Sequence, residues 1–162
     1  MGSDVKAPKR PMGSAWTVWI HMAHDTNWTL SSYIKICKTD DLDEFLLVMK
    51  SIEDLVLNCM VFVMRGDIVP MWENEMNRGG GAFSYKIPED NVMQFWTTML
   101  FKIVGGTLTV QPSAEEYVNG ITVSPKKNFH IIKVWMRMCP NVESLALSDD
   151  VGIQHEGRVD SA

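Results

Sequence analysis

The 162-residue sequence lacks the features that would place it in a membrane, in an oxidising compartment or along an extended nucleic acid. No apolar run approaches the roughly 20 residues needed to span a bilayer. The three cysteines are odd in number and widely spaced, which favours a reducing compartment over a disulfide framework. A net charge of −5 argues against a broad basic surface for phosphates. We therefore expect a cytoplasmic protein, in which any nucleic-acid ligand is recognised at a small local site rather than over a broad surface.

Signatures of catalysis and of metal binding are also missing. The sequence contains no Gly-x-Ser-x-Gly, no P-loop, no Gly-x-Gly-x-x-Gly and no paired Cys-x-x-Cys. His21 and His24 lie three apart on a predicted strand, so their side chains are expected on opposite faces, where they cannot share a metal ion. The sequence therefore predicts neither an enzyme nor a cofactor.

Hydrophobic periodicity predicts strands and helices in one domain over residues 14–162, after a disordered, basic arm over residues 1–13. An Asp41/Glu44 capping box should begin the first helix. Helices are predicted from Asp41 to about Ile52 and from Pro88 to Val104. Strands are predicted at Ala15–Met22, Ser32–Cys37, Cys59–Met64, Ala82–Ile87, Val118–Ser124, Phe129–Met138 and near Val151–Gln154.

The segment over residues 68–83 is predicted to be a functional loop. Pro70 and three consecutive glycines, Gly79 to Gly81, prevent a regular element. Trp72 therefore lies on irregular chain beside Glu73. It either folds back as a lid on the core or serves as an exposed stacking surface, and loops on rigid scaffolds are where binding residues concentrate.

Two further tryptophans lie off the helical core. Trp28 follows a predicted turn, and pattern alone slightly favours its burial in the core. Trp135 alternates with Lys133 and Arg137 on one face of the last long strand, so that face lines either solvent or a site for an anion beside an aromatic ring. Together with Lys126 and Lys127, these residues suit a methylated purine nucleotide, because aromatic faces bind flat cations and lysines neutralise phosphates.

The order of these residues resembles the eukaryotic translation initiation factor 4E family. The resemblance covers residues 15 to about 135, and it is carried by Trp16-x-x-Trp19, Trp28, Ile68-Val-Pro-Met-Trp-Glu, Asn77-Arg-Gly-Gly, Phe95-Trp96 and the stretch from Gly120 to Trp135. It implies an α+β fold, with a curved antiparallel sheet, helices packed on its convex face and a slot for the messenger RNA cap on its concave face. The short, divergent form is similar to copies from kinetoplastid protists.

The resemblance also implies a role for each site residue. Trp28 and Trp72 would sandwich the 7-methylguanine, Glu73 would accept its N1 and N2 hydrogens, and Trp135 would lie against the methyl group. Lys126 falls where the family has a phosphate-binding arginine. Asn128 and Ile131 replace further basic residues, so Lys127 and Lys133 would have to rebuild the phosphate grip, and reduced cap affinity is expected.

A partner peptide of the 4G scaffold type would bind the convex helical face. The implied contact residues are Leu42, Leu46, Trp96, Thr97, Phe101 and Gly105. Leu46 replaces the family's partner-binding tryptophan and Thr97 replaces a leucine, which places recruitment of the usual Tyr-x-x-x-x-Leu peptide in question. Leu42 and Leu46 either widen the buried stripe of their helix or form an exposed contact. The family's last helix is expected to be deleted between Asn141 and Val151.

Three functions remain open from the sequence. The first is a cap-binding initiation factor. The second is a cap-binding repressor that does not recruit the scaffold, and the third is an interaction scaffold that has lost cap affinity.

Overall fold

Seven strands form one antiparallel sheet in the computed structural model, which describes residues 7–137 and the backbone of residues 157–161. Their order across the sheet is β2-β1-β3-β5-β6-β4-β7. The strands are β1 (Pro11–His21), β2 (Ile34–Asp41), β3 (Met60–Arg65), β4 (Gly81–Pro88), β5 (Val118–Pro125), β6 (Phe129–Met136) and β7 (Gly157–Ser161). Register shifts interrupt the β1–β2 and β5–β6 ladders, and such bulges bend strands. The α+β class and the curved antiparallel sheet are confirmed.

In the part of the chain that the structure describes, three α-helices cover the convex face of the sheet: α1 (Leu42–Ser51), α2 (Glu53–Asn58) and α3 (Val92–Val104). Short 3-10 turns occur at Leu30–Ser32, Glu89–Asn91 and Pro112–Tyr117. No helix within the described ranges is both long enough and apolar enough to cross a membrane.

Side-chain alternation along the strands separates two apolar clusters. In β3, Val61 and Val63 belong to the main core between sheet and helices, whereas Phe62 and Met64 belong to a second cluster on the concave face. In β6, Trp135 joins the second cluster while its neighbours Val134 and Met136 join the main core. This period of two places apolar and aromatic residues on the concave face.

Several predicted boundaries were wrong. β1 begins at Pro11, inside the predicted arm, because Pro11 pairs with Asp41 of β2. Arg10 forms a two-pronged ion pair with Asp43, and its hydrogen bonds lower the pKa of that carboxyl. β2 begins and ends later than predicted, and helix α2 was missed. Residues 1–6 of the predicted arm lie outside the described residues.

The capping box forms only in half. The Asp41 side chain accepts a hydrogen bond from the Asp43 amide, as predicted. The Glu44 carboxylate does not return to the Asp41 amide, because it accepts instead from the Thr39 hydroxyl at 2.6 Å. That hydroxyl in turn accepts the Asp41 N–H at 3.1 Å, so Thr39 stands between the two expected partners.

The C-terminal strand is at Gly157–Ser161, where it pairs with β4 at the sheet edge. The strand predicted near Val151–Gln154 and the expected deletion between Asn141 and Val151 lie outside the described residues.

Gly80 ends the functional loop against strand β6. A Cβ atom at this position would overlap the backbone carbonyl of Met136, and backbone cannot move aside as a flexible side chain can. We expect Gly80→Ala to lower the free energy of unfolding by about 1–3 kcal/mol, as overpacking does. Denaturant unfolding measures this, with Gly13→Ala as the control, since a Cβ at Gly13 meets open space. Equal stability of the two variants would contradict this close packing.

Candidate functional site

Aromatic rings form a continuous array on the concave face. Tyr33 packs edge-on against Phe62 at 5.5 Å between centroids, and Phe62 against Trp135 at 6.4 Å. Tyr33 also contacts the rings of His21 and Trp28. The array consists of Trp28, His21, Tyr33, Phe62, Trp135 and Trp72. His21, Tyr33 and Phe62 were not predicted in this role, because each reads as an ordinary strand or turn residue.

Trp28 is half exposed rather than buried, so the core assignment that pattern alone favoured was wrong. Its relative exposure is 53%, and one ring face stacks on His21 at 4.1 Å with the planes 2° apart. His21 is itself fully buried, and its two ring nitrogens lie within hydrogen-bonding distance of the carbonyl oxygens of Met22 and Asn27. A fixed imidazole thus orients the Trp28 indole.

Trp72 folds back onto the concave face and stacks on Trp135. The ring centroids lie 4.2 Å apart and the planes differ by 9°. Of the two possibilities the sequence left open, the lid is the one seen here. Trp28 and Trp72 each have one ring face against another ring of the protein. Because Trp135 is only 4% exposed beneath Trp72, a ligand that contacts the Trp135 ring would need Trp72 to leave it.

The Trp72–Trp135 stack divides the slot into two compartments that share the walls Met60 and Phe62. The Trp28 compartment, about 260 Å³, is lined by Trp28, Tyr33, Met60, Phe62, Pro70, Met71, Trp72, Glu73 and Trp135. The Lys126 compartment, about 270 Å³, is lined by Met60, Phe62, Trp72, Thr122, Ser124, Lys126, Ile131, Lys133 and Trp135. The structure therefore brings together six of the seven predicted slot residues.

Among the residues that the structure describes, cations line the Lys126 compartment and not the Trp28 compartment. Lys126 and Lys133 contribute to its wall, and the Lys133 Nζ lies over the Trp72 ring, 6.0 Å from the centroid. Lys127 is exposed in the hairpin turn and lines neither compartment. Within the described residues, the Thr122 hydroxyl and the Trp135 indole N–H are buried without a hydrogen-bond partner. Both groups can therefore bond to a ligand at no cost to the protein's own network.

Glu73 is exposed at the rim of the Trp28 compartment. Burial, and next the negative charge of Glu73, raise the pKa of Tyr33 above its ordinary value. The phenol consequently stays protonated at neutral pH.

Two buried asparagines hold the loop that carries Trp72. The Asn77 amide, 1% exposed, donates hydrogen bonds to the carbonyl oxygens of Val69 at 3.1 Å and Met71 at 2.9 Å. Asn119 of β5 donates to the Asn77 side-chain oxygen at 2.9 Å and to the Met76 carbonyl at 2.7 Å. The loop is thus fastened to the sheet on both sides of Trp72. The Asn77-Arg-Gly-Gly motif signals the first asparagine, but no sequence pattern signals Asn119.

The convex side carries an apolar groove between α1, α3 and the start of β1. One part, about 180 Å³, is lined by Leu46, Met49, Lys50, Glu53, Val56, Met93, Trp96, Thr97, Leu100 and Phe101. The other, about 470 Å³, is lined by Pro11, Met12, Gly13, Leu42, Leu46, Phe101, Val104 and Gly105. All six residues predicted for partner binding lie in this helical groove. Trp96 is 2% exposed and forms part of its floor.

The geometry of the slot defines the class of ligand that it can bind. An aromatic slot with a carboxylate at one end and cations at the other suits a flat ring that carries N–H donors and an anionic tail. The family model described as "Eukaryotic initiation factor 4E" matches residues 11–151. The chain belongs to the eukaryotic initiation factor 4E family.

Curated relatives agree with this assignment. The chain is 25% identical over 138 residues to eukaryotic translation initiation factor 4E of Candida glabrata, covering 81% of this chain and 65% of that protein. It is also 25% identical over 162 residues to the human factor, covering 93% of this chain and 68% of the human protein. The chain spans 62% of the length of the Saccharomyces cerevisiae factor. The chain thus spans somewhat less than two thirds of the length of these yeast relatives.

Solved structures share the fold. Caenorhabditis elegans eIF4E-3, solved with the 4E-binding protein Mextli and a cap analog, superposes with a TM-score of 0.74 at 20% identity, covering 90% of this chain and 80% of that chain. Ascaris suum eIF4E-3, solved with an m2,2,7G cap, superposes with a TM-score of 0.71 at 21% identity, covering 90% and 79%. At these identities the likeness establishes the fold alone. The kinetoplastid origin stays a prediction.

Proposed function

We propose that the concave slot binds the 7-methylguanosine cap of messenger RNA and that the chain acts in translation initiation. The observation that carries this proposal is that Trp28, Trp72 and Glu73 line one compartment, while Lys126 and Lys133 line the neighbouring one. The family to which the chain belongs, and relatives solved with cap analogs, support it. The role is one of binding, and we propose no reaction.

The base would enter between Trp28 and Trp72 after the Trp72 ring leaves Trp135. Breaking an aromatic pair costs about 0.5–1.5 kcal/mol beyond area burial. Each base–aromatic contact contributes about 1–3 kcal/mol, and the cationic methylated ring adds a cation–π term. Two new contacts therefore outweigh the one that is lost. Glu73 would accept hydrogen bonds from the base, and the Trp135 face freed by the movement of Trp72 would lie against the methyl group.

The phosphates would extend into the Lys126 compartment. Lys126 and Lys133 line it, and Lys127 could reach an anion from the hairpin turn only by extending its side chain. Ile131 contributes an apolar wall at a position where the resemblance implies a cation. We therefore expect a weaker triphosphate grip than a fully basic hairpin would give.

Binding to capped RNA tests this function. The protein should retain a short RNA with a 7-methylguanosine cap on filters. Free 7-methylguanosine triphosphate should reduce this retention by competing with the RNA for the protein. The same RNA with a plain 5′ triphosphate is the control. Equal retention of both RNAs would contradict cap recognition and favour the interaction-scaffold function.

We expect the helical groove to take a partner peptide, and the relatives solved with Mextli or a 4E-BP support a partner of this kind. Leu46 and Thr97 line its smaller part, where the resemblance implies larger side chains. This change favours a second candidate function, a cap-binding repressor that does not recruit the usual scaffold. The cytoplasmic location stays a prediction.

Leu46→Trp should strengthen binding of a Tyr-x-x-x-x-Leu scaffold peptide about tenfold, because an indole at this position supplies contact area that leucine lacks. Fluorescence anisotropy of a labelled peptide measures the change. Leu47→Trp is the matched control, since Leu47 is 67% exposed and lies outside the groove. Tight binding by the unmodified chain, unchanged in Leu46→Trp, would contradict the repressor function.

A further inference from the structure

The ring behind Trp28 is an imidazole whose two nitrogens both face carbonyl oxygens. His21 is the last residue of β1 and is fully buried. Its Nδ1 lies 3.0 Å from the Met22 carbonyl oxygen, and its Nε2 lies 2.8 Å from the Asn27 carbonyl oxygen. A carbonyl oxygen only accepts hydrogen bonds, so each nitrogen needs a proton of its own to bond to the oxygen that it faces.

A neutral imidazole has one N–H and cannot satisfy both contacts. With the proton on either nitrogen of His21, the lone pair of the other nitrogen faces a carbonyl oxygen. The Ser32 hydroxyl lies 3.1 Å from Nε2, but it donates to the Thr29 carbonyl oxygen at 2.8 Å. The imidazolium form, with a proton on each nitrogen, is therefore the form that donates to both carbonyl oxygens.

The surroundings of the His21 ring suit a positive charge. Trp28 stacks on it at 4.1 Å, and the Tyr33 ring lies 4.9 Å away at a tilt of 60°. Aromatic faces attract cations. Across the sheet His21 pairs with Met60, which is neutral. Asp25, whose carboxylate accepts a backbone N–H at 2.8 Å, brings a negative charge to the adjoining turn. A buried charge is tolerated where hydrogen bonds compensate it, as they do here.

We propose that His21 carries a proton on both ring nitrogens, and that this charge behind Trp28 lowers the preference of the slot for a cationic N7-methylated base over a neutral one. The inference rests on the proposed function and deepens it. His21 would not touch the base, and it is a positioning residue that acts through the Trp28 ring.

The charge acts across the ring that the proposed function assigns to the base. The base would stack on the free face of Trp28, so the His21 stack on the other face stays in place. A cation on one face weakens the attraction of the ring for a second cation on the other, and the two positive charges repel. A neutral, unmethylated guanine stacks without that penalty.

The ratio of two dissociation constants isolates this effect, because 7-methylguanosine triphosphate and guanosine triphosphate carry the same phosphates. Both are measured for the full chain at neutral pH and one salt concentration. His21→Phe keeps a flat ring behind Trp28 and removes the charge, so it should raise the preference for the methylated nucleotide about fivefold. His24→Phe is the matched control. It makes the same replacement at an exposed position of the adjoining turn, so the ratio should change less than about twofold.

Nitrogen NMR of the His21 ring reads its protonation in the unmodified protein. An imidazolium gives two similar chemical shifts, which we expect at neutral pH, whereas a neutral imidazole gives two widely separated ones. Widely separated shifts would overturn the inference and leave cap binding intact. A His21→Phe variant that is folded by circular dichroism and keeps the wild-type ratio would do the same. A wild-type protein that binds neither nucleotide would overturn the proposed function, and this inference with it.

Discussion

Replacing Trp72 with alanine is expected to lower the affinity for 7-methylguanosine triphosphate by about 2–3 kcal/mol, roughly 30- to 150-fold. The variant loses one wall of the proposed sandwich and its cation–π contribution. Part of the loss is offset, because the variant no longer has to break the Trp72–Trp135 stack before binding. Calorimetric titration measures the change.

Trp72→Phe serves as the conservative control, since a phenyl ring still stacks. Its affinity should lie between those of the wild type and the alanine variant. Both variants should keep the fold, because Trp72 lies on a loop fastened through Asn77 and Asn119 rather than through its own ring. Wild-type affinity in Trp72→Ala would show that the base does not stack there.

Replacing Glu73 with alanine is expected to weaken 7-methylguanosine triphosphate binding by about 1.5–3 kcal/mol and to abolish the preference for guanine over adenine. Hydrogen bonds to a charged acceptor are stronger than neutral ones, and the base N–H groups would be left unpaired in a partly closed slot. Titration with methylated guanosine and adenosine nucleotides measures both effects.

Glu75→Ala is the matched control for Glu73. It removes the same charge from the same loop, but Glu75 is exposed and lines neither compartment. Equal, small losses in the two variants would mean that Glu73 acts only through the overall charge of the loop.

Local sequence patterns were sufficient to predict the structure where side-chain periodicity or a local end signal determines it. The alternation of Lys133 and Trp135 correctly placed both side chains on one face, and the intervening Val134 lies in the main core. The predicted end of the second helix at Val104 was also correct, because the glycines that follow are a local signal. Its predicted start at Pro88 was wrong, since Glu89–Asn91 form a 3-10 turn and α3 begins at Val92.

Contacts between distant parts of the chain were not predictable. The exposure of Trp28 depends on its stack with His21 across a turn, and the position of Trp72 depends on Trp135, which comes from another strand. Asn119 reads as an ordinary strand residue, yet it is fully buried and holds the functional loop. β2 was predicted to end at Cys37, yet it continues to Asp41, and Thr39 is buried between the Asp41 amide and Glu44.

The resemblance to the family supplied what periodicity could not. It assigned Trp28 to the slot although pattern alone favoured burial, and it gave base-binding roles to Trp72 and Glu73, which the loop pattern had already singled out. The structure adds the Trp72–Trp135 stack and the Lys133 contact, which neither the pattern nor the resemblance indicated.

Tryptophan fluorescence during titration with 7-methylguanosine triphosphate, beside guanosine triphosphate, tests the central claim most directly. The account predicts quenching by the methylated nucleotide at concentrations where the unmethylated one has a smaller effect, because the cationic ring stacks on Trp28 and Trp72. Quenching that is absent with both nucleotides, in a protein with intact circular dichroism, would contradict a cap-binding slot on this face.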